Sequence, residues 1–421
     1  MLCIYFVPNS YPSKMKLYTL ALAYLLLPAL CLAQVKENLS AAGKLVAETS
    51  GEDSLNVVGS SHPHTVISGY GELAYQRDNN AQTATVNLNR AVIFIGHQFS
   101  SRIAFFSELE VENAKVEAGG STGEVGFEQC YIKFAFNSRQ YLVAGLFVPR
   151  LGIINESHLP VSYNGMERPM VEQLVIPSTW REMGLGFYGQ SSAMPITYSI
   201  ALLNGLNNAN FVAGTGIHEG RMEGQFANAN NLALTASVQY YWGNWKLQAS
   251  GYMGGSTGLN KLHADSLGLS AGPFGNPVYL AEANAQYQNK GWGLRLLAST
   301  VNIPDAEKIN TAYNNQTPNS MYGAYAELGY NLLEKVKAKK WLGKQLVFFV
   351  RGEVLDLNAS VPQGMMANAA LYQQHIVTGF TYLPLPNVVI KADVRFLHTD
   401  VNPTITNPNN SFVNLGIGYS F

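Results

Sequence analysis

The last ten residues, Phe412-Val-Asn-Leu-Gly-Ile-Gly-Tyr-Ser-Phe421, alternate without a break. Val413, Leu415, Ile417, Tyr419 and Phe421 fall on one face, and Asn414, Gly416, Gly418 and Ser420 on the other. Successive side chains of a strand project to opposite sides, so this segment has one wholly apolar face and one small or polar face. It fits a strand between lipid and water, or the half-buried edge of a soluble sheet. Composition favours the first reading: charged residues are 13%, Gly and Tyr number 39 and 23, and mean hydropathy is zero. No apolar run beyond the N-terminal region has the ~20 residues of a spanning helix, whereas a tilted barrel strand needs about 9–11, only half of them apolar.

Lys14 and Lys16 precede the apolar run Leu17–Leu30, and Leu30-Cys-Leu-Ala33 places a small residue three positions and one position before a cut at Gln34. Residues 1–33 are therefore read as a secretory signal peptide, with Met15 an alternative start to Met1. Cys31 lacks the small preceding residue of a lipidation site. Removing Lys14 and Lys16 leaves 25 basic residues against 28 acidic ones, which argues against nucleic acid as a partner. Cys130 then stands alone, without a disulfide partner or a cysteine-based metal set. Residues 34–65, with His62-Pro-His64, read as a periplasmic tail or linker, and 66–421 as the barrel.

Within 66–421, sixteen strand candidates fall near 66–76, 86–98, 102–113, 126–136, 140–148, 182–190, 196–204, 231–241, 245–254, 278–288, 292–301, 321–332, 345–357, 372–382, 388–397 and 412–421. The fold class expected is all-β, a closed antiparallel transmembrane barrel of even strand number. Short connections rich in turn formers, such as Trp242-Gly-Asn244 and Gln288-Asn-Lys-Gly291, occupy every second joint. Long ones at 149–181, 205–230, 255–277, 302–320 and 398–411 lie between them, so short periplasmic turns oppose long extracellular loops. The basic connection 333–344 is the exception on the short side. Tyr279 with Tyr287, and Tyr322 with Tyr330, sit eight residues apart on outward faces. At ~3.3 Å per residue and a tilt near 40° they are separated by roughly 20 Å, close to the spacing of aromatic girdles.

Charge sets the faces. Lys391, Asp393 and Arg395 alternate with Ile390, Ala392 and Val394, and Arg351 and Glu353 with Val350 and Val354. Turning such a strand outward would cost about 2–4 kcal/mol for each base near the bilayer midplane. Arg90, Glu108, Glu110, Glu112, Glu282, Arg295, Glu327, Arg351, Glu353, Lys391, Asp393 and Arg395 are therefore expected to line the interior. They would either act on a permeating solute or pair across the lumen and brace the wall. Loop 149–181 carries Ile153, Ile154, Val171, Leu174, Val175, Ile176 and Trp180, too many apolar groups for a loop in water. Folded into the barrel, it would bring Arg150, Glu156, Glu167, Arg168, Glu172, Arg181 and Glu182 to a narrowing.

Phe127-Glu-Gln-Cys-Tyr-Ile-Lys-Phe134, Ala144-Gly-Leu-Phe-Val-Pro-Arg-Leu-Gly-Ile-Ile-Asn-Glu156, Asn164-Gly-Met-Glu-Arg-Pro169 and Ile176-Pro-Ser-Thr-Trp-Arg-Glu-Met-Gly-Leu-Gly186 resemble Bacteroidetes porins of the phosphate-selective porin O/P superfamily. The resemblance covers residues 86–204 best. It implies a homotrimeric porin of the bacterial outer membrane whose third loop folds into the pore. The arginine ladder of the phosphate-selective members has no counterpart here, since acidic neighbours accompany most of the arginines.

The function expected is passive diffusion of small hydrophilic solutes or ions, phosphate among the candidates, with outer-membrane lipid as the surrounding partner and neither cofactor nor metal. A surface-exposed barrel with an adhesive or structural role is the alternative. The histidines, including His97, His158, His218, His263, His375 and His398, are scattered without a local nucleophile pattern, so no enzyme is expected.

Overall fold

The computed structural model describes residues 63–113, 123–400 and 408–421. The expected signal peptide and most of the expected tail lie outside the described residues. Sixteen antiparallel strands form a closed barrel in which each pairs with its sequence neighbours and the last pairs with the first. They are β1 (His64–Asp78), β2 (Thr83–Gln98), β3 (Ile103–Glu112), β4 (Glu124–Asn137), β5 (Gln140–Phe147), β6 (Glu182–Gln190), β7 (Ile196–Asn204), β8 (Leu232–Trp242), β9 (Trp245–Gly254), β10 (Val278–Asn289), β11 (Trp292–Asn302), β12 (Ser320–Asn331), β13 (Gln345–Ser360), β14 (Tyr372–Leu385), β15 (Val388–Thr399) and β16 (Asn409–Ser420). Every sequence-derived strand is present, several of them a few residues longer than alternation alone suggested and two, β3 and β5, slightly shorter. The last two residues of the expected tail, His64 and Thr65, belong to β1.

Closure is made by β16 against β1, in a register running from Tyr70 opposite Ser420 to Asp78 opposite Phe412. The terminal Phe421 exchanges backbone hydrogen bonds with Gly69, at 2.8 and 3.2 Å, so neither edge of the sheet is left open there. The faces follow the charge argument: Leu415 and Ile417 are 47% and 48% exposed, while Asn414, next to Leu415, is 1% exposed. Tyr287 packs on Trp245 and Tyr330 on Trp292, with ring centroids 4.9 and 4.6 Å apart, along the short-turn rim. Tyr279 and Tyr322 face outward near the opposite rim, giving the two expected aromatic levels.

Beyond β5 the chain turns into the barrel. Leu151, Ile153, Ile154, Val171, Val175, Ile176 and Trp180 of the 148–181 connection are all buried. All but Ile154 join Phe94, Phe106, Tyr131, Tyr141 and Tyr188 of the inner wall and Leu206, Phe211, Ile217, Ile303 and Ile309 of the outer connections in one apolar core. Two short helices, α1 (Lys261–Ser266) and α2 (Ala306–Tyr313), sit in those outer connections. A lumen that alternation marks as polar and wet therefore holds a hydrophobic core of its own.

The inward glycines of β16 explain how the loop fits. A Cβ at Gly416 would lie 2.0 Å from the Met166 sulfur, and one at Gly418 2.5 Å from Pro160. The small face of the terminal strand is thus the seat of the loop, where any side chain would collide with it.

Candidate pore constriction

The inward loop touches strands around most of the circumference. Tyr163 donates to Glu72 of β1 (2.8 Å), and His158 lies 3.7 Å from both Glu108 of β3 and Glu128 of β4. Arg150 stacks over the Tyr188 ring of β6, and Glu156 receives Gln239 of β8 (2.6 Å) and Lys246 of β9 (2.8 Å). Arg295 of β11 donates to the Ser162 carbonyl, and Tyr325 of β12 to Glu172, each at 2.6 Å. Val171 donates to Glu353 of β13, Met166 to Asp393 of β15, and Asn414 of β16 to Glu167. Contacts on opposite walls mean that the loop crosses the lumen. Any solute path runs between loop and wall.

The expected charges come together in three groups. Arg351, 1% exposed, binds Glu327 (3.2 Å) and Glu353 (2.8 Å) and donates to the loop carbonyls of Asn164 and Glu167. Arg295 approaches Glu327 at 3.8 Å, and Arg395 pairs with Glu167 at 2.6 Å. Arg150 and Lys246 flank Glu156, whose carboxyl burial alone would push up but these two cations hold below the usual range. Arg181 reaches Glu110, Glu124 and Glu223, and Arg90 also reaches Glu110.

Other expected site residues stand apart. Glu172 accepts from the Ile153 and Ile154 amides (2.7 Å each) as well as Tyr325, and so folds the loop on itself. Glu182, the first residue of β6, accepts from Trp180, Asn204 and Met222. Glu282 accepts from Gln248, Ser250 and Asn284. Arg168 donates to Ser178, and Glu112 faces Arg90 in the β2–β3 register at the strand end. Lys391 rests its ammonium 3.6 Å from the Tyr163 ring centroid, and Asp393 accepts from Asn414. Most inward charges thus pair with one another or hold the loop.

Several contributors escaped sequence reading. Glu72, Lys246 and Gln248 lie on alternating strands, so period two offered a signal for them. Glu128 offered none. The register between β3 and β4 slips so that Glu108 faces Gln129 and Leu109 faces Phe127, leaving Glu128 as the extra residue of a bulge.

A closed sixteen-stranded barrel, apolar outside, charged inside and crossed by the connection between β5 and β6, is the architecture of an outer-membrane β-barrel of the porin type. Solved structures share that fold. The outer-membrane channel DcaP of Acinetobacter baumannii aligns at TM-score 0.52 and 12% identity over 86% of this chain and 99% of that one. OmpF of Salmonella typhi, in complex with daunomycin, aligns at 0.51 and 13% over 85% and 97%. OmpT of Vibrio cholerae aligns at 0.51 and 11% over 86% and 99%. No family model matches this chain. In sequence it is 30% identical over 339 residues to a protein of Aquifex aeolicus (strain VF5), described as an uncharacterized protein, covering 78% of this chain and 74% of that one. The chain belongs to one family with that protein.

Proposed function

We propose that this barrel is a diffusion channel of the bacterial outer membrane, admitting small hydrophilic solutes or ions through narrow passages between the inward loop and the wall. The observation that carries this reading is a loop tied by charged and polar contacts to opposite walls of an otherwise closed barrel. Neutralised guanidinium groups favour weak ionic preference over an anion-selective ladder: Arg90, Arg150, Arg181, Arg351 and Arg395 each have a carboxylate within 4 Å. The reading contains no catalytic step.

A trimer is the assembly that suits this wall. β5, β6 and β7 have only 8, 9 and 9 residues. At ~3.3 Å per residue and a tilt near 40°, eight residues rise roughly 20 Å, short of the ~25 Å apolar band. Covering this low sector with protein, in a homotrimer, removes its mismatch with lipid. Mass measurement of the detergent-solubilised complex tests it, and a monomer would overturn it.

Planar-bilayer recording of the mature protein under a KCl gradient, with phosphate as competitor, tests the channel. Steady conductance with a small reversal potential supports it, and block by phosphate would restore anion selectivity. A silent, demonstrably folded barrel would instead support the structural or adhesive reading, which the dense apolar packing of the loop favours.

A further inference from the structure

Glu108 of β3, Glu128 at the β4 bulge and His158 of the inward loop bring one ligand atom each within 4.8 Å of one another, all three side chains being buried. The imidazole Nε2 is 3.7 Å from Glu108 Oε2 and 3.7 Å from Glu128 Oε1. These separations exceed hydrogen-bond length. Both Glu108 oxygens, Glu128 Oε1 and both His158 ring nitrogens have no hydrogen-bond partner among the described residues. Three of these atoms, one from each residue, meet at one buried point without a hydrogen bond between them, a costly arrangement for groups that have lost water.

We infer that these three residues form a binding site for a divalent transition cation such as Zn²⁺, which clasps the inward loop to the barrel wall. Two carboxylates and one neutral imidazole balance a 2+ charge and form a ligand set that zinc accepts. Ligands about 2.0–2.2 Å from a tetrahedral centre are roughly 3.3–3.6 Å from each other, so contraction of the two 3.7 Å pairs by a few tenths of an ångström brings the imidazole and each carboxylate to that spacing, and the two carboxylates lie within 4.8 Å of one another. Tyr70 donates to Glu128 Oε2 at 2.5 Å, leaving Oε1 directed at the site, as outer partners of metal-bound carboxylates do. The bulge gives the site its third ligand: a register slip at that one residue turns Glu128 inward beside Glu108. Because two ligands come from the wall and one from the loop, cation binding would hold residues near 158 in place.

The untagged, folded full-length barrel is stripped with chelator, dialysed against Zn²⁺ alone, washed and analysed for bound metal. One Zn²⁺ per chain is expected, with affinity falling at least tenfold in Glu128→Gln and in His158→Ala, while a Cys130→Ser variant binds normally. No retained Zn²⁺, or undiminished binding in the two ligand variants, overturns the proposal. Should those variants fail to show the heat-modifiable mobility of a folded barrel, anomalous scattering from Zn²⁺-soaked wild-type crystals decides. A peak among Glu108, Glu128 and His158 supports the site, and a peak elsewhere or none refutes it.

Discussion

Glu172 is the residue through which the shape of the inward loop can be tested most directly. Its carboxylate receives the Ile153 and Ile154 amides and the Tyr325 hydroxyl, and the Glu172→Ala change leaves all three donors without it. Each abandoned buried donor costs about 1–3 kcal/mol, and water reaching the Tyr325 hydroxyl would relieve part of that, so the seated loop should lose about 3–6 kcal/mol. The strands are joined by their own ladders, so the barrel itself should remain folded. Single-channel recording is then expected to show larger, noisier conductance, while heat-modifiable mobility on gels is retained. Tyr325→Phe removes one donor and should have a smaller effect of about 1 kcal/mol. In the double variant the two effects should fall short of their sum, because both remove the same hydrogen bond. Wild-type conductance and noise in a folded Glu172→Ala barrel would refute the claim that this carboxylate organises the constriction.

Arg351→Met should be strongly destabilising, by about 3–5 kcal/mol, because it strands Glu327 and Glu353 as uncompensated buried charges, and urea unfolding in detergent measures it. Leu415→Arg places a base in lipid at about 2–4 kcal/mol and should impair membrane assembly, whereas Leu415→Ile should assemble normally. Gly145→Ala should weaken the β4–β5 pairing by about 1–3 kcal/mol: the glycine has φ +138°, and an added Cβ would lie 2.4 Å from the Cys130 carbonyl oxygen. A lowered temperature for loss of heat-modifiable mobility would register that change. Deleting residues 153–176 should raise conductance, since that segment bridges the lumen between Glu72 of β1 and Lys246 of β9 on the opposite wall; unchanged conductance in a folded deletion would place the path elsewhere.

The inward face is more crowded than alternation implies. Asn414 reads as a water-facing position where an arginine would be tolerated, yet it donates to Glu167 and Asp393 with almost no exposed surface. An arginine there would have to displace the loop. Lys391 and Asp393 are similarly confined by Tyr163 and Met166.

Period two and the cost of placing charge in lipid were enough to determine the number of strands, their order and their inside and outside faces. Both act locally, on each strand separately, which is why Val388–Phe396 and Phe412–Phe421 could be oriented without knowing their neighbours. The apolar content of 149–181 likewise showed that the loop must bury itself. Where it docks was decided only by the tertiary structure. The pairs Arg395–Glu167, Lys246–Glu156 and Tyr325–Glu172 join residues far apart in the chain, and no local pattern records such partners. The bulge at Glu128 belongs to the same class: one extra residue reverses the face of everything after it, and the slip is specified by pairing with β3, not by the strand alone.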